Sequence, residues 1–186
     1  MLARYFAKKN AESLSNYIDA GYDVIYTCTS CGLCLLHDYP GILEIPQGRK
    51  IAENSYDVHE YIIKLINEGY VKPDFREVRR SIAYHIPCHL RALKIGYPAA
   101  KLMSLIPGLE YEILDDACCG LSGSYGFKKE NALTAIQIGN RAVSLISKTG
   151  MDNIVSDCGS CRMQLAGLSG MPALDPAEII FDSLGR

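Results

Sequence analysis

Apolar residues recur at helical spacing through the first twenty positions, where Leu2, Tyr5, Phe6, Leu14, Tyr17 and Ile18 share roughly one side and Gly21 supplies a stop. This pattern predicts a helix over residues 1–20. Val24 to Tyr26 predicts a short buried strand that runs into Cys28-Thr29-Ser30-Cys31-Gly32-Leu33-Cys34, and Pro40, Gly41, Pro46 and Gly48 then predict a loop. Glu53 to Glu68 predicts a second helix closed by Gly69. Beyond Pro73 the pattern alternates. Ile82 to Ile86 predicts a strand ending at Pro87-Cys88, residues 90–105 a helix stopped by Pro107-Gly108, and Tyr111 to Leu114 a strand ending at Cys118-Cys119-Gly120. A long helix is expected from Lys129 to Lys148, with Leu133, Ile136, Ala142, Val143 and Ile146 near one face. Ile154 to Ser156 then leads as a strand into Cys158-Gly159-Ser160-Cys161.

Strands alternating with helices predict an α/β fold of small, mostly parallel sheets flanked by helices. The chain also repeats itself at an offset of 130 residues: Asn10 falls on Asn140, Val24 and Ile25 on Ile154 and Val155, Cys28 on Cys158, Ser30 on Ser160 and Cys31 on Cys161. Partners of Cys88, Cys118 and Cys119 at the same offset would precede Met1. The expected organisation is therefore two pseudo-repeated half-units, residues 1–72 holding only the last part of the first and residues 73–186 a complete second.

Composition narrows the function by exclusion. An apolar content of 48% suits a chain with a real core, while a formal charge of −2 with scattered Lys and Arg gives no attraction for nucleic acid. Charges throughout the first twenty residues exclude a signal peptide, and no apolar run is long enough for a transmembrane segment, so a cytoplasmic protein is expected. There is no P-loop, and the glycines at 120, 123 and 126 have the wrong period for a dinucleotide loop.

Eight cysteines in a reducing compartment call for metal binding or redox chemistry. The second half contributes the fuller set: 29 residues separate Cys88 from Cys118, and 38 separate Cys119 from the Cys158-x-x-Cys161 pair. Each of these cysteines follows a predicted strand, and in a parallel sheet the carboxyl ends of the strands share one edge, so five thiols distant in sequence converge there. Thiolates are soft anionic ligands for zinc or iron–sulfur clusters. The vicinal pair Cys118-Cys119 suits neighbouring irons better than two corners of one tetrahedral zinc, and a fifth thiol exceeds a four-cysteine site. Gly120 lets backbone approach closely and donate N–H groups to sulfur.

This set resembles the cysteine-rich CCG domain, which occurs twice in one of the heterodisulfide reductase subunits and is found in anaerobic glycerol-3-phosphate dehydrogenase and in the iron–sulfur subunits of related lactate and glycolate oxidases. The segments His85-Ile86-Pro87-Cys88-His89, Cys118-Cys119-Gly120 through Lys128, and Asp157-Cys158-Gly159-Ser160-Cys161-Arg162 look most like the glycerol-3-phosphate dehydrogenase group. The resemblance implies an iron–sulfur cluster, of the non-cubane 4Fe-4S type and liable to loss on aerobic purification, held by Cys88, Cys118, Cys119, Cys158 and Cys161. It implies an electron-transfer subunit working between a flavoprotein dehydrogenase and a quinone, with no turnover of its own and peripheral at the inner membrane face through its partners. The same resemblance keeps open a heterodisulfide reductase-like role, reducing disulfides at the cluster, and the ligand chemistry keeps open a structural zinc module.

Cys28 and Cys31 carry a secondary ligand expectation, because Cys28, Cys31 and Cys34 could hold a partial cluster, a zinc or a redox pair, or be a remnant without metal. His85, His89, Gly120 and Arg162 are expected around the ligands, the histidines as donors to sulfur or as ordinary structural residues, and Arg162 to offset cluster charge. Tyr125 and Phe127 are expected in the core.

Overall fold

The computed structural model describes residues 2–185. The chain opens with α1 (Leu2–Asp19), followed by β1 (Val24–Tyr26) and α2 (Thr29–Leu33). A π-helical stretch (Cys34–Ile42), α3 (Gly48–Glu53), β2 (Ser55–Asp57) and α4 (Val58–Asn67) complete the first half. The second half runs β3 (Arg80–His85), α5 (Cys88–Leu93), α6 (Pro98–Met103) and β4 (Leu109–Leu114). It continues through a short 3-10 turn (Lys129–Asn131) to α7 (Ala132–Thr149), β5 (Asn153–Val155), α8 (Gly159–Ser169), β6 (Ala173–Leu174) and α9 (Pro176–Ser183).

All strands pair in parallel, as the alternation of strand and helix requires. β1 pairs with β2, Tyr26 opposite Asp57. The second sheet has the order β4-β3-β5-β6, with His85 opposite Leu114 and Val155 opposite Leu174. Successive side chains of β3 point to opposite faces, so Ile82 and Tyr84 join Leu90, Leu102, Met103 and Ile179 on one side. Ala83 and Ile154 join Ile146, Leu165, Cys119, Cys158 and Cys161 on the other. Cys119, Cys158 and Cys161 thus sit in an apolar layer of the fold. Ile62, Ile63 and Ile66 on α4 pack against the first of these clusters, so the helix closing the first half is covered by the core of the second.

Several local readings change in the structure. The predicted helix over 53–68 is interrupted by β2, because Asp57 adopts extended backbone and accepts hydrogen bonds from the amides of His59 and Glu60, starting α4 afresh. The predicted helix over 90–105 is two helices: Lys94 takes a left-handed conformation and Pro98 restricts Tyr97. The predicted loop after Cys34 is largely π-helical and contains Pro40. On α7 the buried residues are Ala135, Gly139, Ala142 and Ile146, whereas Leu133 is 75% exposed and Ile136 also faces outward. Tyr125 and Phe127 are exposed, not core. Small residues line α7 because the Cys118-Cys119-Gly120 loop lies on it. Gly120 has φ +92°, and a Cβ there would come within 2.1 Å of the Ala135 carbonyl oxygen.

Candidate functional site

Parallel pairing places the ends of β3, β4 and β5 at one edge, and the cysteines follow those ends. Cys88, Cys119, Cys158 and Cys161 line one cavity of about 30 Å³ together with Pro87, His89 and Ser160. Ser30, from the first half, also lines it. Cys119, Cys158 and Cys161 are buried and Cys88 is exposed at the pocket. Cys118 lies on the rim of a larger neighbouring cleft lined also by Asp116, Asn140 and Arg141, while its sulfur accepts a hydrogen bond from the Gly120 amide at 3.3 Å. The fifth thiol therefore borders the site without lining the cavity of the other four.

Three thiols share protons at the base of the pocket. Cys161 Sγ donates to Cys119 Sγ at 3.2 Å. That bond, against the opposing effect of burial and with help from the Leu121 amide, lowers the Cys119 thiol to about 7. Cys158 falls to about 5: a hydrogen bond from Cys161 is the largest cause, burial opposes it, and the amides of Cys161 and Ser160 at the start of α8 assist. Cys161 is pushed strongly upward by the same two partners and holds the proton. Burial and the nearby sulfurs of Cys118, Cys119 and Cys158 push the Cys88 thiol up. The pocket thus favours anionic sulfur beside the Cys161 thiol, which is what a cation-rich metal group requires of its ligands.

The donor set fits an iron–sulfur group chemically: soft thiolates converge from three strand ends, backed by helix-start amides and an apolar shell. The cavity as it stands has room for a water or two. Among the described residues no group of three Cys, His, Asp or Glu side chains is arranged to hold a single metal ion.

The surrounding residues have definite tasks. His85 is 1% exposed; its Nε2 donates to the Ala117 carbonyl at 3.1 Å and its Nδ1 accepts from the Ser156 hydroxyl at 3.3 Å. Burial lowers its pKa to about 4, so it is a neutral brace joining the ends of β3 and β5 to the residue before Cys118. His89, half-buried, lines the cavity and has its Nδ1 2.7 Å from the Ser30 hydroxyl. Arg162 donates to the Ser156 carbonyl at 2.7 Å and to Asp175 at 2.5 Å, tying α8 to the residue that caps α9. Its charge is matched by that carboxylate.

Sequence reasoning missed a buried polar group between the halves. Asp57, His59, Tyr84 and Asp157 are each at most 5% exposed. The Tyr84 hydroxyl donates to Asp157 at 2.6 Å, and His59 Nδ1 lies 3.3 Å from Asp57 and 3.7 Å from Asp157. Burial alone would lower the His59 pKa, but Asp57, Asp157 and Asp175 outweigh it and raise it above 6.5. The capping pattern Asp57-Val58-His59-Glu60 was the available signal for where this group begins.

The remaining thiols are arranged differently. Cys28 and Cys34 are half-buried and Cys31 exposed; burial with Cys28 raises the Cys31 thiol, and burial with Asp38 and Cys31 raises that of Cys34. They do not line the four-thiol cavity.

Residues 82–166 match the family described as CCG, cysteine-rich domain. The chain is 30% identical to a subunit of the anaerobic glycerol-3-phosphate dehydrogenase of Escherichia coli over 183 residues, 98% of this chain and 46% of that protein. It is 30% identical over 149 residues to a subunit of the fumarate reductase (CoM/CoB) of Methanothermobacter marburgensis, covering 78% of this chain and 28% of the other. An uncharacterized iron-sulfur protein of Methanocaldococcus jannaschii is 27% identical over 165 residues, 88% of this chain and 30% of the other. The chain thus spans less than half the length of the curated relatives it matches. Among the described residues no helix is long and apolar enough to cross a membrane. In its motif and its parallel strand ends, the segment over residues 82–166 is similar to the cysteine-rich CCG domain whose model it matches.

Proposed function

We propose that this chain is an iron–sulfur electron-transfer component of an oxidoreductase complex, with Cys88, Cys118, Cys119, Cys158 and Cys161 as the ligands of a non-cubane 4Fe-4S cluster. The observation that carries the proposal is the convergence of four thiols from three strand ends on one cavity, with the fifth on its border. When bound, the cluster supplies a one-electron carrier. Residues 73–186 act as one complete unit, and residues 1–72 carry the CxxC-bearing part of an equivalent one, with Cys28 and Cys31 in a subordinate ligand role.

The protein's own residues set the conditions. Cys158 presents anionic sulfur that the amides at the start of α8 stabilise, the Leu121 amide supports Cys119, the Gly120 amide donates to Cys118, and Ile154, Leu165 and Leu121 keep water from the base of the pocket. The likeness to a subunit of the glycerol-3-phosphate dehydrogenase of Escherichia coli supports a dehydrogenase complex as the setting, and in this reading a reduced flavoprotein is the donor and a quinone the final acceptor. Each electron that enters leaves again, and no thiol bond forms or breaks.

The exposed position of Cys88 at the pocket mouth favours a second reading, in which a disulfide is reduced at the same site. Anaerobic reconstitution with iron and sulfide, followed by EPR with and without added disulfide, separates the two. Electron transfer expects a redox signal indifferent to the disulfide, disulfide chemistry expects one that changes with it, and a folded protein holding only zinc contradicts both.

A further inference from the structure

The first half touches the thiol pocket at two places, each one residue from a cysteine. Ser30, at the start of α2, reaches His89, the neighbour of Cys88, and His59 on α4 reaches Asp157, the neighbour of Cys158. We propose that Ser30 and His59 are positioning residues by which residues 28–67 clamp the pocket of the second half, so that the site is completed by both halves. The inference rests on the ligand assignment above.

The Ser30 contact is more than packing between helices. Ser30 lines the cavity itself, facing it as Ser160 does, and both serines occupy the third position of a CxxC segment. The pocket therefore lies between two like loops, one from each half. Hydrogen-bonded through Nδ1 to the Ser30 hydroxyl across 2.7 Å, the His89 ring cannot rotate freely. A half-buried imidazole on a cavity wall that is not so held would sample other rotamers, and the wall at Cys88 would loosen with it.

The His59 contact is of another kind. At 3% exposure, both ring nitrogens lack a well-aligned hydrogen-bond partner, yet two carboxylates from different halves lie within 4 Å of Nδ1. Charge attraction, with Tyr84 holding the far oxygen of Asp157, keeps the ring in place. Asp157 precedes the extended residue Cys158 from which α8 starts, so a shift of Asp157 moves that sulfur.

The test uses the full chain with Ser30→Ala, Ser30→Thr and His59→Gln, read in two ways. In reduced, metal-free protein, iodoacetamide labelling resolved by mass spectrometry is expected to speed up several-fold at Cys88 in Ser30→Ala and at Cys158 in His59→Gln, with Cys34 unchanged. Ser30→Thr, which keeps the hydroxyl, is expected to behave as wild type. In reconstituted protein, Ser30→Ala is expected to change the EPR line shape and weaken iron retention about tenfold, the low end of effects from residues that orient ligands. Labelling rates equal to wild type at both cysteines overturn the clamp, as does acceleration at Cys34 to the same degree, which signals general loosening. Should wild type take up no iron, the iron–sulfur reading falls while the labelling result still decides this one.

Discussion

Cys28-Thr29-Ser30-Cys31 and Cys158-Gly159-Ser160-Cys161 begin alike and end differently. Each follows a parallel strand, and each opens on an extended cysteine (φ −135°, ψ 125° at Cys28; φ −118°, ψ 117° at Cys158) that leads into a helix. Yet Cys158 and Cys161 are both buried, whereas Cys28 is only half-buried and Cys31 is exposed. The difference lies in the neighbours. The second segment has β3 and β4 beside it, delivering Cys88, Cys118 and Cys119, and α7 behind it to seat the Gly120 loop. The first has only the two-stranded sheet of β1 and β2. A CxxC turn therefore supplies two thiols and a helix start, and the surrounding sheet decides whether those thiols form a site.

This contrast can be broken most severely at the thiols. Cys158→Ser or Cys161→Ser should abolish iron uptake measured after anaerobic reconstitution, while Cys28→Ser or Cys31→Ser should leave most of it. Equal losses at both segments would place the two on one footing. Next in size is the group joining the halves: His59→Ala should cost about 3 kcal/mol in denaturant unfolding, since it leaves buried carboxylates without their counter-charge. Gly120→Ala should cost about 1–3 kcal/mol or more, because a side chain at φ +92° is strained and its Cβ would strike the Ala135 carbonyl. The equivalent change at Gly21, where a Cβ meets nothing within 4 Å, should cost less.

The smallest effect is a pH dependence. The folded-state pKa of His59 is raised above 6.5, so its contribution to stability is fully present below that value and is lost as pH rises through the folded-state pKa. Wild type should therefore lose stability toward alkaline pH relative to His59→Gln, measured as unfolding midpoints from mildly acidic to mildly alkaline buffer. A constant difference over that range would assign His59 a neutral role.

Strand ends and cysteines were legible in the sequence because they are local signals: short apolar runs that stop at Cys, Pro or Gly. The parallel sheet followed from alternation alone. What escaped was whatever depends on a distant partner. β2 is three residues long and exists because β1 pairs with it, so nothing within Ser55-Tyr56-Asp57 separates it from the helices on either side. Of the α7 face expected to be buried, Ala142 and Ile146 are, but the CCG loop also claims Ala135 and Gly139 and leaves Leu133 outside. Capping patterns at Asp57 and at Asp175-Pro176-Ala177-Glu178 were present as cues to helix starts. The Ser30–His89 contact spans 59 positions between residues of ordinary type, and no spacing rule finds it.

The most direct measurement of the central claim is iron and sulfide content, with EPR, of the full chain reconstituted without oxygen, in wild type and in Cys119→Ser. The account expects about four irons per chain with a redox-active signal in wild type and loss of both in the variant. A folded wild-type protein that binds zinc stoichiometrically and takes up no iron would contradict it.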